Sequence, residues 1–108
     1  MSRDTQTLRD IWNAAQEILE FTAGLDRDRL AGDRRTCAAV LYEIVVIGEA
    51  ANRLSQQFQT QHPNVPWKDI IGMRNIVTHQ YDKVDSDVLW DVVSQDIPEL
   101  LVWLEPLL

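Results

Sequence analysis

Residues 38–54, AAVLYEIVVIGEAANRL, decide the fold. The run is too long for a strand and carries apolar side chains on nearly every side. It reads as a central helix covered by several neighbours. Asp33 is a good N-cap, and the helix is expected from there to about Gln61. Gly48 lies inside it at a cost of about 1 kcal/mol relative to Ala. Such a glycine either permits close approach of another backbone or is a tolerated weak point. Glu49 follows in the same apolar context, which calls for a basic partner or a position on the one wet edge.

Towards the N-terminus, Leu8, Ile11, Trp12, Ala15, Ile18 and Leu19 recur at three- and four-residue steps, one helical face from Asp4 to about Thr22. Gly24 is the expected stop. Residues 25–35, LDRDRLAGDRR, read as a polar connection, either a solvated loop of compensated charges or an RNA-contacting arginine cluster. Towards the C-terminus, HPNVP at 62–66 is a turn, and Pro66 suits the first position of a third helix with Asp69 near its positive end. That helix is expected from Trp67 to Thr78 or Gln80. DKVDSD then connects, with Asp85 or Ser86 as the next N-cap. A last helix carries Val88, Leu89, Val92, Val93, Leu100, Leu101 and Leu104, kinked or restarted at Pro98. The expected fold is an all-α, antiparallel four- to five-helix bundle, with residues 1–108 as one domain.

Composition agrees. A chain of 108 residues with 45% hydrophobic and 25% charged residues suits one core and argues against disorder. Cys37 is the single cysteine, which excludes an internal disulfide and a CxxC motif. A lone helical Cys is usually a small core residue. The start, MSRDTQTLRDIW, lacks the apolar run of a signal peptide, and no stretch approaches 18 apolar residues, so a cytoplasmic protein without a membrane span is expected. The net charge of −7 speaks at first against nucleic acid. From Asp82 onward, however, seven acids face Lys83 alone, a balance of −6. The preceding 81 residues carry ten acids and nine bases, so a local basic patch is possible there.

The chemistry-bearing residues gather in GMRNIVTHQY, residues 72–81. On an ideal helix Arg74, Thr78 and Tyr81 share one face, and Asn75 lies one turn below His79, where its amide could fix the imidazole tautomer. Arg74 and His79, five apart, are separated by about 140°. They meet on one phosphate only if the helix ends before His79 or a second subunit completes the site.

The same window, with its Arg-x4-His-x-Tyr spacing, resembles the signature of HEPN-domain toxins, and most closely the HepT branch. The resemblance extends to IGEAANRLS at 47–55, HPNVPWKDIIGMRN at 62–75 and the closing helix VDSDVLWDVVSQDIPELLVWL. It implies a metal-independent RNase toxin that needs no cofactor and acts on tRNA or mRNA. It implies Arg74 and His79 as catalytic and Asn75 as their support. It further implies Tyr81 as the residue that a partner minimal nucleotidyltransferase antitoxin modifies with AMP. The site is expected to assemble across a symmetric homodimer. Glu49 enters on the residues alone, as a structural partner that would orient Arg74 through a buried ion pair.

These residue types suit RNA cleavage. The 2′-hydroxyl is the nucleophile, His transfers protons near neutrality, and Arg offers a planar fork to two phosphate oxygens. Plainer roles stand beside this one. His79 is otherwise a C-terminal helix cation and Tyr81 a core cap. A zinc site from His62 and His79 lacks ligand spacing. The four tryptophans, Trp12, Trp67, Trp90 and Trp103, read as core or dimer contacts, and His62 as exposed. The alternative function is a catalytically idle helical partner of a nucleotidyltransferase, and a third is a purely structural dimeric bundle. An antitoxin's basic surface would dock on the acidic C-terminal segment.

Overall fold

The computed structural model describes residues 3–76 and 85–108. Helices and turns account for these residues, with no strand among them. Helix α1 (Arg3–Thr22) and helix α3 (Arg34–Arg53) form the most extensive packing contact in the fold. They run antiparallel. The Ser55 backbone N–H, just past the end of α3, donates to Asp4 Oδ1 at 2.9 Å at the start of α1, and Ser55 Oγ donates to Oδ2 at 2.6 Å. The buried faces are those read from the periodicity: Leu8, Ile11, Ala15 and Ile18 on α1 against Val40, Ile44, Ile47 and Ala51 on α3. Burying each large aliphatic side chain stabilises by about 1.5–3 kcal/mol, and the alanines let the helices approach. Gly24 ends α1 with φ +79°, a left-handed conformation that glycine adopts without strain.

The connection at 25–35 is more ordered than its polarity suggests. Asp26 accepts from the Arg29 N–H and caps a short helix α2 (Arg27–Ala31). Leu30, the apolar residue of that stretch, is fully buried, and Cys37 Sγ donates to its carbonyl at 3.1 Å. Asp33 caps α3 as expected, and hydrogen bonds from Thr36 hold its carboxyl below the usual range.

The central helix does not reach Gln61. Leu54 is extended (φ −61°, ψ 138°), and Ser55 caps a separate helix α4 (Gln56–Gln61). Ser55 satisfies the new N-terminus while Gln59 Nε2 donates to the Leu54 carbonyl at 3.1 Å. A serine hydroxyl and a glutamine amide thus compensate the break. The turn at 62–66 follows. His62 is half-buried rather than exposed, its ring 4.6 Å from that of Phe58.

Helix α5 (Trp67–Gly72) begins at Trp67 as expected, with Pro66 as its N-cap rather than its first helical residue. At the other end, helix α6 (Ser86–Asp91), capped by Asp85, passes through a π-helical turn at Val92–Asp96 into α7 (Ile97–Leu104) and a 3-10 turn at Glu105–Leu107. Pro98 falls in the first turn of α7, so of the two expectations, a kink or a restart, the structure shows the restart, preceded by the π turn. Ile97, Leu100 and Leu104 of α7 close the core against α1. Among the described residues no helix is long and apolar enough to cross a membrane.

Candidate active site around Arg74

Arg74 owes its place to an aromatic anchor two turns upstream. Trp67 is buried, lies 5.8 Å from the Phe58 ring, and donates from Nε1 to the His62 carbonyl at 3.0 Å. This fixes the start of α5 against the 62–66 turn, and α5 then packs along α3. The expected helix through Thr78 or Gln80 is interrupted: α5 stops at Gly72, Met73 and Arg74 form a turn, and Asn75 and Ile76 are helical again. The bonds Met73 N–H to the Ile70 carbonyl and Ile76 N–H to the Met73 carbonyl, both 3.2 Å, show the tightened winding. A uniform 100° per residue therefore does not carry from α5 through Arg74.

The turn delivers Arg74 onto α3 at Gly48 and Glu49. Arg74 Nη1 donates to Glu49 Oε2 at 3.2 Å, with side chains 30% and 52% exposed. The expectation of a buried pair is corrected. The pair exists, but it lies at a wet edge, because Glu49 projects from the outer face of α3. Such a pair contributes little to stability, about 0.2–1 kcal/mol. Its consequence is directional: one oxygen holds one guanidinium nitrogen of a planar donor fork on a partly exposed side chain.

Asn75 follows on the exposed side of the same turn. Thr78, His79 and Tyr81 lie outside the described residues. The structure thus brings together Arg74 and Glu49, with Asn75 adjoining in sequence. Of the two expectations for Gly48, close approach of another backbone or a tolerated weak point, the packing fits the first, and the neighbour includes a side chain as well. It is the Arg74 side chain itself, together with the Ile71 carbonyl.

On its other side, α5 borders a cleft of about 210 Å³ shared with the closing helix. Asp69, Asp96 and Glu99 rim it over Ile70, Met73 and Trp103. Burial, then the charges of Glu99 and Asp91, push the Asp96 carboxyl above its usual range. Three carboxylates repel a phosphate, so α5 separates an acidic cleft from a guanidinium edge.

A family model described as Ribonuclease HepT-like matches residues 11–107. Similar proteins include "Putative RNase MJ1380" of Methanocaldococcus jannaschii, 36% identical over 93 residues, which span 86% of this chain and 85% of the relative. "Probable ribonuclease HepT" of Thermococcus cleftensis is 38% identical over 93 residues, spanning 86% and 84%. "Putative RNase TTE0752" of Caldanaerobacter subterraneus is 31% identical over 93 residues, spanning 86% and 83%. No solved structure matches. The family match takes in both helices that hold Arg74 and stops one residue short of the C-terminus: the chain belongs to the HepT-like ribonuclease family.

Proposed function

We propose that this chain is a metal-independent endoribonuclease, the toxin of a toxin–antitoxin pair, with Arg74 and His79 as its catalytic residues. The observation that carries the reading is Arg74, whose guanidinium is tethered at 3.2 Å to Glu49 while its side chain stays 30% exposed, in a chain of this family. A buried arginine could not meet a phosphate, and a free one would spend entropy in doing so. This one is oriented beforehand. Arg53, one turn beyond Glu49 on α3, is a second exposed cation on that face of the helix.

In the proposed reaction one imidazole takes the proton of the RNA 2′-hydroxyl, whose oxygen attacks the adjacent phosphorus. The bond to the 5′-oxygen breaks, and that oxygen is protonated as it leaves. The products are a 2′,3′-cyclic phosphate and a 5′-hydroxyl. Arg74 neutralises the dianionic phosphorane, Glu49 orients Arg74, and Asn75 supports the pair. General acid–base help is worth about 10²–10⁴ in rate.

A symmetric homodimer completes the site. Tyr42, 69% exposed, lies seven residues before Glu49 on α3, with the half-buried Val45 and Val46 between them at helical spacing, Val46 also packing against the core. This apolar stripe ends at the Arg74–Glu49 pair. A second copy covering it would place its own Arg74 beside the first, which supports a shared site.

Silencing follows the same electrostatics. The Tyr81 phenol oxygen would attack the α-phosphate of ATP on a minimal nucleotidyltransferase antitoxin, releasing pyrophosphate and leaving AMP on the tyrosine. The added phosphate would carry negative charge seven residues from Arg74 along the chain, a charge suited to pairing with its guanidinium.

Incubation of the purified protein with total tRNA, in EDTA, tests the proposal. Cleavage yielding cyclic phosphates, and lost in His79→Ala, is the expected result. A 5′-phosphate product, or dependence on a divalent metal, sinks the mechanism. A wild type that cuts neither tRNA nor mRNA leaves the idle-partner reading. Mass spectrometry after incubation with antitoxin and ATP should show one AMP on Tyr81, absent from Tyr81→Phe.

A further inference from the structure

We propose that Gly48 is a positioning residue for Arg74, an inference that rests on the nuclease reading above and deepens it. A Cβ on Gly48 would lie 2.8 Å from Arg74 Cβ, 3.2 Å from Arg74 Cγ and 3.0 Å from the Ile71 carbonyl oxygen. These atoms are the root of the arginine side chain and the backbone of α5, not the far end of a flexible group, so they cannot swing aside. Glycine is a poor residue for the interior of a 20-residue helix, where alanine is intrinsically favoured. The compensation at this position is that the stem of Arg74 lies directly on α3.

Two consecutive residues therefore hold one arginine at two points. Gly48 admits the stem, and Glu49 takes the guanidinium at 3.2 Å. Holding both ends of a long side chain removes most of its rotamer freedom before substrate arrives. An alanine at position 48 would push the stem outward by several tenths of an ångström. Leverage along the side chain would then carry the guanidinium off its line to Glu49.

Helix–helix packing alone would also disfavour a larger residue, so the test separates position from stability. Single-turnover cleavage and Tm are measured for wild type, Gly48→Ala, Arg74→Ala and the double variant. Gly48→Ala is expected to lower the cleavage rate about tenfold with Arg74 present and less than twofold with Arg74→Ala. The Tm loss should be similar in both backgrounds, because alanine at 74 retains the obstructing Cβ. An equal rate loss in both backgrounds, or unchanged cleavage in Gly48→Ala, overturns the proposal.

Should Gly48→Ala fail to fold, adding Arg74→Gly removes the Arg74 Cβ and Cγ contacts, though not the 3.0 Å approach to the Ile71 carbonyl, and should restore folding. A double variant that stays unfolded also overturns it. The Nε–Hε resonance of Arg74 gives a readout independent of activity: Gly48→Ala and Glu49→Gln should both displace it, and an unmoved resonance in Gly48→Ala refutes the positioning role. If Arg74→Ala cleaves as well as wild type, the catalytic assignment of Arg74 fails, while the resonance still decides whether Gly48 positions it.

Discussion

Glu43 and Glu49 lie six residues apart on α3, but Glu43 is 6% exposed with Oε2 lacking any hydrogen-bond partner among the described residues, whereas Glu49 is 52% exposed and holds Arg74. Glu43 faces α1, where its carboxylate neighbour is Glu17. Burial first, and then the charge of Glu17, push its pKa up to about 7 from an ordinary 4.5. No ion pair among the described residues involves it; those present are Arg74–Glu49 and Arg27–Asp87. The difference teaches that a carboxylate on a helix takes its role from the face it lies on. The outward one orients a cation at little cost, and the inward one keeps a proton and makes the fold sensitive to pH.

The largest expected effect breaks the outward pair. Arg74→Ala should reduce RNA cleavage about 10²–10³-fold, the usual cost of removing one preorganised donor from a phosphorane-like transition state. Its Tm should hardly move. Intact cleavage by a folded Arg74→Ala variant would show that the outward pair is merely structural.

The next effect sharpens the inward side. Between about pH 4.5 and pH 7 the folded chain retains a proton on Glu43 that the unfolded chain has released. Stability contributed by this group is therefore fully present below the lower value and is lost as pH rises through the upper one. Glu43→Gln keeps the shape and cannot ionise. It should match wild type near pH 4.5 and exceed it in Tm by about 5 °C at pH 8. Glu17→Gln should act in the same direction, since it removes the like charge and supplies a donor. Thermal melts at the two pH values decide, and a pH-independent difference between wild type and Glu43→Gln would refute the account.

Two smaller effects complete the contrast. Glu49→Gln should slow cleavage only a few-fold, because the amide oxygen still accepts from Arg74 and the site is already wet. Arg27→Ala removes a 3.5 Å pair to Asp87 whose side chains are 54% and 65% exposed, and should change stability by less than about 0.5 kcal/mol. A loss above 1 kcal/mol there would mean that surface pairs count for more in this fold than the comparison allows.

Much of the bundle was legible because helical periodicity and caps are local properties. Leu8, Ile11, Ala15 and Ile18 are buried where the three- and four-residue spacing put them, and Asp33, Asp85 and Gly24 end or begin helices as their chemistry dictates. The break at Leu54–Ser55 was not legible. A serine in a polar helical run becomes a cap only because Asp4, 51 residues away, receives its N–H and hydroxyl. Nor was the helix in LDRDRLAGDRR, which forms because Leu30 finds a place in a core assembled by other elements.

The site divides along the same line. Residue types and spacing in GMRNIVTHQY, with Glu49 beside a mid-helix glycine, nominated the candidates, of which the described residues bring Arg74 and Glu49 together. Whether Arg74 and Glu49 touch, and whether they do so in a dry or a wet setting, depended on how α5 lies along α3. That crossing is set by Trp67, by the turn at Met73–Arg74 and by the missing Cβ of Gly48, none of which has an orientation until the helices pack. Chain-local forces, hydrogen-bond caps and side-chain periodicity, thus wrote the helices into the sequence. Proximity between residues 25 apart is a product of close packing, and it exists only in the folded chain.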